Sequence, residues 1–366
     1  MALSTIPTRA LSEQGINFRN LIINGDMSIA QRGTSFTGIT STQYTLDRWR
    51  WTPSSGTGTF TITQDTDVPS GQGFAKSFKA SCTATATPTT TNSIGLKTRF
   101  EGQMLQHLKK GTSNAESLTL SFWVKSNKTG TYIAELEDND NSRTINKSYT
   151  INSADTWEKK TITYAGDTSG TLTNDNNLSF TVVYYINAGS DLQSGTLQTS
   201  WGTLTPANRA VGQVNLADST SNYINFTGIQ LEVGTSASDF EFLPYDVNLL
   251  RCQRYYHQIG YGLNGAGGTV NAGQGQWYNS GEVTLTVYFP TSMRATPSMT
   301  SPTVSNGYRF HKAGSFSDVS DGGSINSPSN MMTGIYKSGL TGGTGGDASF
   351  LAMIASGAAY KFDAEL

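Results

Sequence analysis

Apolar and polar residues alternate with a period of two through most of the chain before residue 245. The clearest example is 225–233, NFTGIQLEV, and similar spacing occurs at 44–51, 59–64, 75–82, 118–125, 132–137, 157–164 and 178–186. This alternation predicts strands with one buried and one wet face. Clusters of Gly, Asn, Asp and Ser separate the strands at hairpin spacing, so residues 20–245 are predicted to form an antiparallel jelly roll or β-sandwich. The apolar run 20–29, broken by Asn24-Gly25-Asp26, is also predicted as a strand.

The pattern changes from strand to helix at residue 246. Asp246 is a suitable N-cap for the following VNLLRCQRYY, in which Leu249, Cys252 and Tyr256 share one helical stripe. Residues 246–257 are therefore predicted to form a junction helix. Residues 258–366 are predicted to form a second, smaller β-domain of short strands and glycine-rich loops. Such a domain buries little surface for its size, so oligomerisation is expected to complete its core.

Composition agrees with an all-β fold and narrows the classes of partner. Of the 366 residues, 36% are hydrophobic, 14% are charged and 39 are Gly. The many Ser, Thr and Asn residues favour strands and turns over helices. The formal net charge is −2 and no dense Lys/Arg patch occurs, so a nucleic-acid partner is not expected.

The N-terminal segment 1–19 has neither the apolar region of a signal peptide nor the length of a membrane span. The chain is therefore expected to be made in the cytoplasm without membrane insertion. A helix before Gly15 would be too short to fold alone, so Leu3, Ile6 and Leu11 are candidates for docking on another surface. That surface is the body of the chain, a sister subunit or a larger assembly, and the alternative is a frayed tail.

The potentially reactive side chains form no catalytic or metal-binding pattern. Cys82 and Cys252 have no Cys or His neighbour at metal-ligand spacing, so free buried thiols are predicted, with a disulfide as the alternative. The three histidines are scattered, and none stands beside a nucleophile motif. Glu135 and Glu137 share one strand face and lead into a turn sequence, so glycoside cleavage has little support and no enzyme is predicted.

Several short motifs occur together in an order that is typical of one protein family. They are NLIINGDM at 20–27, AQRG at 30–33, DRW at 47–49, SFWVKS at 121–126, IQLEVG at 229–234 and CQRYY at 252–256. Together with AYKFDAEL at 359–366, they resemble phage tail-fibre and virion-fibre proteins. The resemblance implies a main domain similar to the galactose-binding-like carbohydrate-binding modules, with its first motif near its last strand, and a parallel homotrimer.

The same resemblance raises the question of a calcium ion. Carbohydrate-binding jelly rolls often hold a structural calcium near positions matching Asn24 to Asp26 and an Asp in the last strand. Here Thr227-Gly228 stand where that Asp is expected, which leaves Asp26 as the one plausible carboxylate ligand. Because Ca²⁺ takes several oxygen ligands, this site is complete only if loop carbonyls contribute. No cofactor is required by the fold, and Asp26 is the candidate ligand if calcium binds.

Aromatic side chains are the candidates for contact with a sugar. Trp201 lies in a polar segment, and Trp277, Tyr278 and Tyr308 are similar cases, so each is a candidate for stacking on a pyranose face. A packed loop anchor is the alternative for each of them. The motif 47–49 is predicted to be structural, with its Asp and Trp on one strand face and its Arg pointing away.

These observations together predict a structural virion protein, namely a phage tail-fibre subunit. It would attach through residues 1–19 to tail or baseplate proteins and recognise a host-surface polysaccharide with its β-domains. Many weak contacts, multiplied by the trimer and by copies on the particle, would give the affinity. The main alternative is a capsid decoration or head-fibre protein that reinforces the shell or gives loose adhesion. A polysaccharide depolymerase has less support.

Overall fold

A computed structural model of the protein describes residues 19–261 and 268–366. The chain divides into two compact units, Met1–Pro244 and Tyr245–Leu366. Antiparallel strands build both units, which confirms the predicted all-β class. The proposed docking residues Leu3, Ile6 and Leu11 lie outside the described residues.

The first unit contains the strands β1 to β13. Their bounds are β1 Ser35–Ile39, β2 Gln43–Tyr44, β3 Arg50–Pro53, β4 Thr59–Asp65, β5 Ser77–Ala84, β6 Ser93–Glu101, β7 Leu118–Ser126, β8 Gly130–Asp138, β9 Arg143–Ile151, β10 Glu158–Tyr164, β11 Leu178–Ala188, β12 Gly202–Thr203 and β13 Tyr223–Val233. Short 3-10 helices lie at Gly102–Met104, Gln106–Leu108, Ser190–Leu192, Pro206–Asn208 and Leu216–Asp218.

These strands form two sheets that enclose a hydrophobic core. One sheet has six strands in the order β1-β4-β5-β13-β7-β10, and the other has seven in the order β12-β9-β8-β11-β6-β3-β2. Phe122 and Phe226 of the first sheet and Tyr184 of the second are fully buried. The ring centroid of Tyr184 is 5.1 Å from that of Phe122 and 5.0 Å from that of Phe226. The predicted antiparallel sandwich is confirmed.

The strand predicted at 20–29 is wrong, because this segment turns. Asn24 has a left-handed backbone with a φ of 59°, which interrupts any extended run. Its side-chain oxygen accepts from the Ile29 N–H at 2.9 Å, and its side-chain nitrogen donates to the Asp47 carbonyl at 2.9 Å. Side-chain bonds to the backbone thus take the place of a sheet ladder.

The same segment docks on the last strand of the sandwich. Asn20 Oδ1 accepts from the Leu231 N–H at 3.1 Å, and the Leu21 N–H donates to the Leu231 carbonyl at 2.9 Å. A Cβ at Gly25 would lie 2.0 Å from the Ile229 carbonyl oxygen, so the approach requires glycine. The closeness of the first motif and the last strand, which the family resemblance implied, is confirmed.

Asp47-Arg48-Trp49 forms a buried turn and not a strand. Arg48 has a φ of 69° and is 2% exposed, so the expectation that it points away is wrong; strand alternation does not apply in this turn. Trp49 is fully buried, and its Nε1–H donates to the Asn24 carbonyl at 2.9 Å. The Asp47 carboxylate accepts from the backbone N–H and the side-chain amide of Gln31, at 2.6 Å each. The predicted structural role of the motif is consistent with these contacts.

Both cysteines are free and buried, as the sequence predicts. Burial raises the pKa of the Cys82 thiol. In residues 19–261 and 268–366, no helix has the length and apolar character needed to cross a membrane.

The second unit begins with a helix, α1 (Tyr245–Gln253), which starts directly after Pro244 and has Asp246 in its first turn. The predicted junction helix, 246–257, extends too far. Tyr256 lies in a strand, where it pairs with Asp363. The strands are β14 Tyr256–Gly260, β15 Val270–Asn279, β16 Glu282–Tyr288, β17 Ser298–Thr300, β18 Tyr308–Lys312, β19 Ser315–Val319, β20 Ser324–Asn326, β21 Met332–Lys337, β22 Ala348–Met353 and β23 Ala359–Asp363.

The second unit has its own sheets and its own core. A three-stranded sheet has the order β14-β23-β17, and a seven-stranded sheet has the order β19-β18-β22-β15-β16-β21-β20. The core contains Leu285, Leu351, Tyr360 and Phe362, all fully buried. The predicted second, smaller β-domain is confirmed, and its oligomeric state stays a prediction.

Candidate functional site

The candidate site is the outward face of the seven-stranded sheet in the second unit. In β16, Val283, Leu285 and Val287 are buried, so Thr284 and Thr286 point outward between them. The same alternation continues through the neighbouring strands. We call this surface the open face.

One row of residues crosses all seven strands of the open face. In spatial order it consists of Phe316, His311, Phe350, Gln274, Thr286, Gly334 and Asn326. The rings of His311 and Phe350 stack, with centroids 3.8 Å apart and planes 13° apart. The row therefore has an aromatic end and a middle of amide and hydroxyl groups.

A second row runs beside the first and is mainly polar. It consists of Ala348, Gln276, Thr284, Tyr336 and Ser324. The side chains of Gln274, Gln276, Thr284 and Thr286 form no hydrogen bond with the part of the chain that the structure describes. Each amide offers two donors and an acceptor, and each hydroxyl offers a donor and an acceptor. These groups are therefore available to a ligand.

A groove of about 1060 Å³ runs along this face, and its walls include Gln274, Thr286, Tyr288, His311 and Phe350. Tyr288 is 72% exposed and Phe350 is 36% exposed, so ring surface remains accessible at the groove. The backbones of β15 and β16 approach closely beneath the groove at Gly275. A Cβ at this position would lie 1.9 Å from the Thr284 carbonyl oxygen, so the approach requires glycine. The groove is shallow and open.

The charges on the open face are largely paired. Arg309 holds Asp318 through two bonds of 2.7 and 2.8 Å, and this guanidinium lowers the pKa of the Asp318 carboxyl. Arg309 also lies 3.7 Å above the ring of Phe316. Partial burial and the nearby Arg309 charge lower the pKa of His311, so its ring stacks on Phe350 in the neutral form at pH 7. The face suits an uncharged ligand that is rich in hydroxyl groups.

Two of the aromatic residues predicted to contact sugar are in the core. Trp277 is fully buried in β15, and its Nε1–H donates to the His311 carbonyl at 3.0 Å. Tyr308 is fully buried in β18, and its hydroxyl donates to the Pro302 carbonyl at 2.7 Å. Both are packed anchors, which corrects the expectation that their rings are exposed. Strand alternation puts their neighbours on the surface instead.

The other two predicted aromatic residues keep some exposure. Tyr278 is 71% exposed, next to buried Trp277 and on the same side of β15 as Gln276. Trp201 belongs to the first unit, where it is half-buried against Phe180, and its Nε1–H donates to the Ala165 carbonyl at 2.8 Å. Its role in sugar binding stays a prediction.

The residues that the sequence analysis missed are Gln274, Gln276, His311 and Phe350. Two of the strands that carry them, β15 and β18, also contain Trp277 and Tyr308. Gln276 is one position from Trp277 and His311 is three positions from Tyr308, so strand alternation places each on the face opposite to a buried aromatic residue. Assigning the two aromatic residues to the core would therefore have found Gln276 and His311. Phe350 had no such signal, since it depends on the register of β22 against β15.

Asp26, the candidate calcium ligand, lies in the turn that docks on β13. Its Oδ1 accepts from the Ser28 hydroxyl at 3.1 Å. Thr227, where an acidic ligand was sought, donates its hydroxyl to the Lys76 carbonyl at 2.7 Å. Among the described residues no three or more His, Cys, Asp or Glu side chains are grouped to hold a metal ion.

Comparison with known proteins gives distant structural matches. The chain matches no protein-family model and no curated protein. It is similar to the enzymatically active domain of bacteriophage CBA120 tailspike protein 4, at 14% identity and a TM-score of 0.32, over 59% of this chain and 22% of the tailspike chain. The matched part therefore spans about a fifth of that tailspike.

The similar structures also include sugar-binding proteins. One is a putative sugar-binding protein from Bacteroides thetaiotaomicron, at 12% identity and a TM-score of 0.31, over 59% of this chain and 100% of the other. Another is the family 11 carbohydrate-binding module of a Clostridium thermocellum cellulase, at 16% identity and a TM-score of 0.25, over 54% of this chain and 98% of the other. At these scores the function of the present chain has to be argued from its own residues.

Proposed function

We propose that this protein is a phage fibre subunit that binds a host-surface glycan through the open face of its second unit. The observation that carries the proposal is the His311–Phe350 stack beside Gln274 and Thr286, in one row along one groove. This combination of an apolar ring surface and unengaged amides and hydroxyls matches the two surfaces of a sugar. The fibre context comes from the motif resemblance.

The aromatic end of the row supplies the apolar contact. A pyranose ring presents C–H groups on its faces, and a flat aromatic ring buries them with little loss of side-chain entropy. Phe350 is held by its stack on His311, and Phe316 is covered on one side by Arg309. Their orientation is therefore set before a ligand arrives, which reduces the entropic cost of binding.

The amide and hydroxyl groups of the two rows supply the directional hydrogen bonds that would orient a bound saccharide. Gln274 and Gln276 follow one another on the outward side of β15, and Thr284 and Thr286 face them from β16. The hydroxyl groups of a saccharide are donors and acceptors, so they can satisfy these side chains in several registers. A ligand that can bind in several registers along the face is expected to be a repeating polysaccharide and not one small molecule.

A shallow groove gives weak binding at each site, so the proposal includes a homotrimer. Linked copies raise the apparent affinity by orders of magnitude, about 10² to 10⁴, without a new contact. Static light scattering on the purified full chain tests this part. A mass of three chains is expected, and a monomer at micromolar concentration would refute it.

Co-sedimentation of the full chain with host-cell polysaccharide tests the glycan site. We expect Phe350→Ala and Gln274→Ala to weaken binding by about tenfold each, because each removes one principal contact. Tyr245→Ala is the matched control, since Tyr245 is a 64% exposed aromatic residue on α1 and not on the open face. Absence of binding by the unmodified chain, or an equal loss in the control, would refute the site.

The position in the virion needs a separate experiment. Removal of residues 1–19 should abolish incorporation into particles and leave polysaccharide binding of the free protein unchanged. Immunolabelling of particles then separates the alternatives. Label on the tail supports host attachment, whereas label on the capsid lattice would favour a decoration protein.

A further inference from the structure

The ammonium group of Lys110 is almost completely removed from water. This side chain is 5% exposed and follows the 3-10 helix Gln106–Leu108 in the connection between β6 and β7. Its Nζ donates to the carbonyls of Ser169 at 3.0 Å and Gly170 at 2.8 Å, and it lies 5.2 Å from the ring centroid of Trp201. Proteins rarely bury a lysine unless it is paired with a specific partner.

Two aspartates meet this ammonium group. Asp138, at the end of β8, is fully buried and accepts a hydrogen bond from Nζ of Lys110. Asp167, which follows β10, has a side chain that is 3% exposed, and its Oδ2 lies 3.0 Å from the same nitrogen. Arg143 donates two further bonds to Asp167, at 2.8 and 2.9 Å. The two cations therefore balance the two carboxylates in one buried cluster.

Backbone and side-chain hydrogen bonds hold the loops of this cluster in place. The N–H of Gly111, directly after the lysine, donates to the Asp167 carbonyl at 2.8 Å. Asn141 donates to Oδ1 of Asp138 twice, through its backbone N–H at 3.0 Å and through its side-chain amide at 3.2 Å. The Lys110 nitrogen and the Asp138 carboxyl group are therefore kept side by side, which favours a reaction between them.

We propose that Lys110 and Asp138 condense to an intramolecular amide, with Asp167 as the proton carrier. The ammonium group first passes one proton to the Asp138 carboxylate, so that a neutral amine faces a neutral carboxyl group. The amine nitrogen attacks the carboxyl carbon and forms the C–N bond, and Asp167 takes a proton from that nitrogen. The C–O bond breaks as Asp167 returns this proton to the departing hydroxyl group. The products are one amide and one water molecule, and no further reactant is needed.

The contacts of the two aspartates suit these roles. In the tetrahedral intermediate, negative charge develops on the Asp138 oxygen that stays on the carbon, and the two Asn141 donors at Oδ1 would stabilise it. Burial raises the pKa of the Asp167 carboxyl, but its hydrogen bonds with Arg143 and Lys110 lower the pKa overall. Asp167 is therefore an anion at the start, as a proton acceptor must be.

Burial favours the amide over the ion pair. Hydration of separated ions opposes their condensation in water, but Lys110 and Asp138 have already lost most of that hydration. Groups held in a reactive arrangement also reach effective concentrations of about 10⁵ to 10⁸ M. Lys109 and Glu116 form a comparable pair whose side chains are 54% and 34% exposed, and this hydrated pair is not expected to react. The amide would join the β6–β7 connection covalently to the end of β8.

Intact-mass spectrometry of the denatured full chain tests the proposal. The unmodified chain is expected to be lighter than its sequence requires by the mass of one water molecule. Lys110→Arg should show no such loss, because a guanidinium does not condense with a carboxyl group. Lys109→Arg is the matched control and should keep the loss of water. Peptide mapping should then find Lys110 and Asp138 in one branched peptide.

The other outcomes would contradict the proposal. A full mass for the unmodified chain would leave Lys110 and Asp138 as an ion pair, and a loss of water that maps to other residues would also overturn the amide. Both results are independent of glycan binding by the open face.

The proton carrier is tested by the same measurement. Asp167→Asn should fold by circular dichroism and keep the full mass, and Asp167→Glu should restore the loss of water. Loss of water in Asp167→Asn would refute the role of Asp167 as proton carrier. If Asp167→Asn does not fold, a full mass in folded Asp167→Glu would refute that role instead.

Discussion

The described part of the chain contains two seven-stranded antiparallel sheets, one in each unit, and their outward faces differ. On the first, buried Glu135 is held by Arg209 and Asn146, and part of the surface is covered by chain. On the second, the amides beside Phe350 are exposed, the hydroxyls are partly exposed, and neither group makes a side-chain hydrogen bond among the described residues. A covered face needs every polar group paired, whereas an open face leaves its polar groups for a partner.

Loss of the buried carboxylate should have the largest effect on stability. Glu135 is fully buried, so Glu135→Gln leaves the Arg209 charge without its main partner and should lower the free energy of unfolding by about 3–5 kcal/mol. Glu137→Gln is the control, because Glu137 accepts one bond from the same guanidinium and is partly exposed; it should cost about 1 kcal/mol. Urea unfolding measures both, and equal costs would show that the pair is not buried in solution.

Adjacent residues of β15 test whether the second sheet has one inward and one open face. Trp277→Ala empties a fully buried site and should cost about 3–5 kcal/mol. Tyr278→Ala should change the stability by about 0.5 kcal/mol or less, since that side chain is 71% exposed. If both substitutions destabilise the protein similarly in urea, the alternation in β15 is incorrect.

The second unit should lose stability in mild acid. Burial lowers the pKa of His257 to about 4, and its Nδ1 has no hydrogen-bond partner within residues 19–261 and 268–366. In the unfolded state the pKa of this imidazole is about 6.5. Between about pH 4 and about pH 6.5 the imidazole is therefore protonated in the unfolded state and neutral in the folded state. The contribution of His257 is therefore complete above about pH 6.5 and falls as the pH drops, by about 3 kcal/mol near pH 4.

The check is urea unfolding at about pH 7.5 and about pH 4.5, compared with His257→Leu. The variant cannot bind the proton, so it should lose less stability than the unmodified chain over this interval. Identical losses would assign the acid sensitivity to other groups.

The two thiols should report on the two units separately, with little effect on either fold. Cys82 is 3% exposed in the first unit and Cys252 is fully buried in the second, so neither should react with a thiol reagent in the native protein. Single-cysteine variants, Cys82→Ala and Cys252→Ala, should react only across the urea transition of the unit that keeps its thiol. Fast reaction in native buffer would contradict the burial.

The fold class could be predicted from the sequence, whereas most residues of the candidate site could not. Period-two alternation predicted most strands, such as β4 and β10, because one face of each is more buried than the other. It failed at 20–29 and at Arg48, where left-handed residues and side-chain bonds to the backbone replace the ladder. It also failed to predict the open face, since Phe350 reaches Gln274 through the pairing of β22 with β15, two strands that are distant in sequence.

The docking of the first motif on β13 also has a consequence for how the sandwich folds. Asn20 and its partner Leu231 are 211 residues apart, and β13 lies between β5 and β7 inside its sheet. Neither the six-stranded sheet nor the Asn20 contact is complete until the ribosome has released β13. The strands that are synthesised first therefore have unpaired edges until β13 is available. We expect folding of the first unit to be slow and to depend on protection of those edges during synthesis.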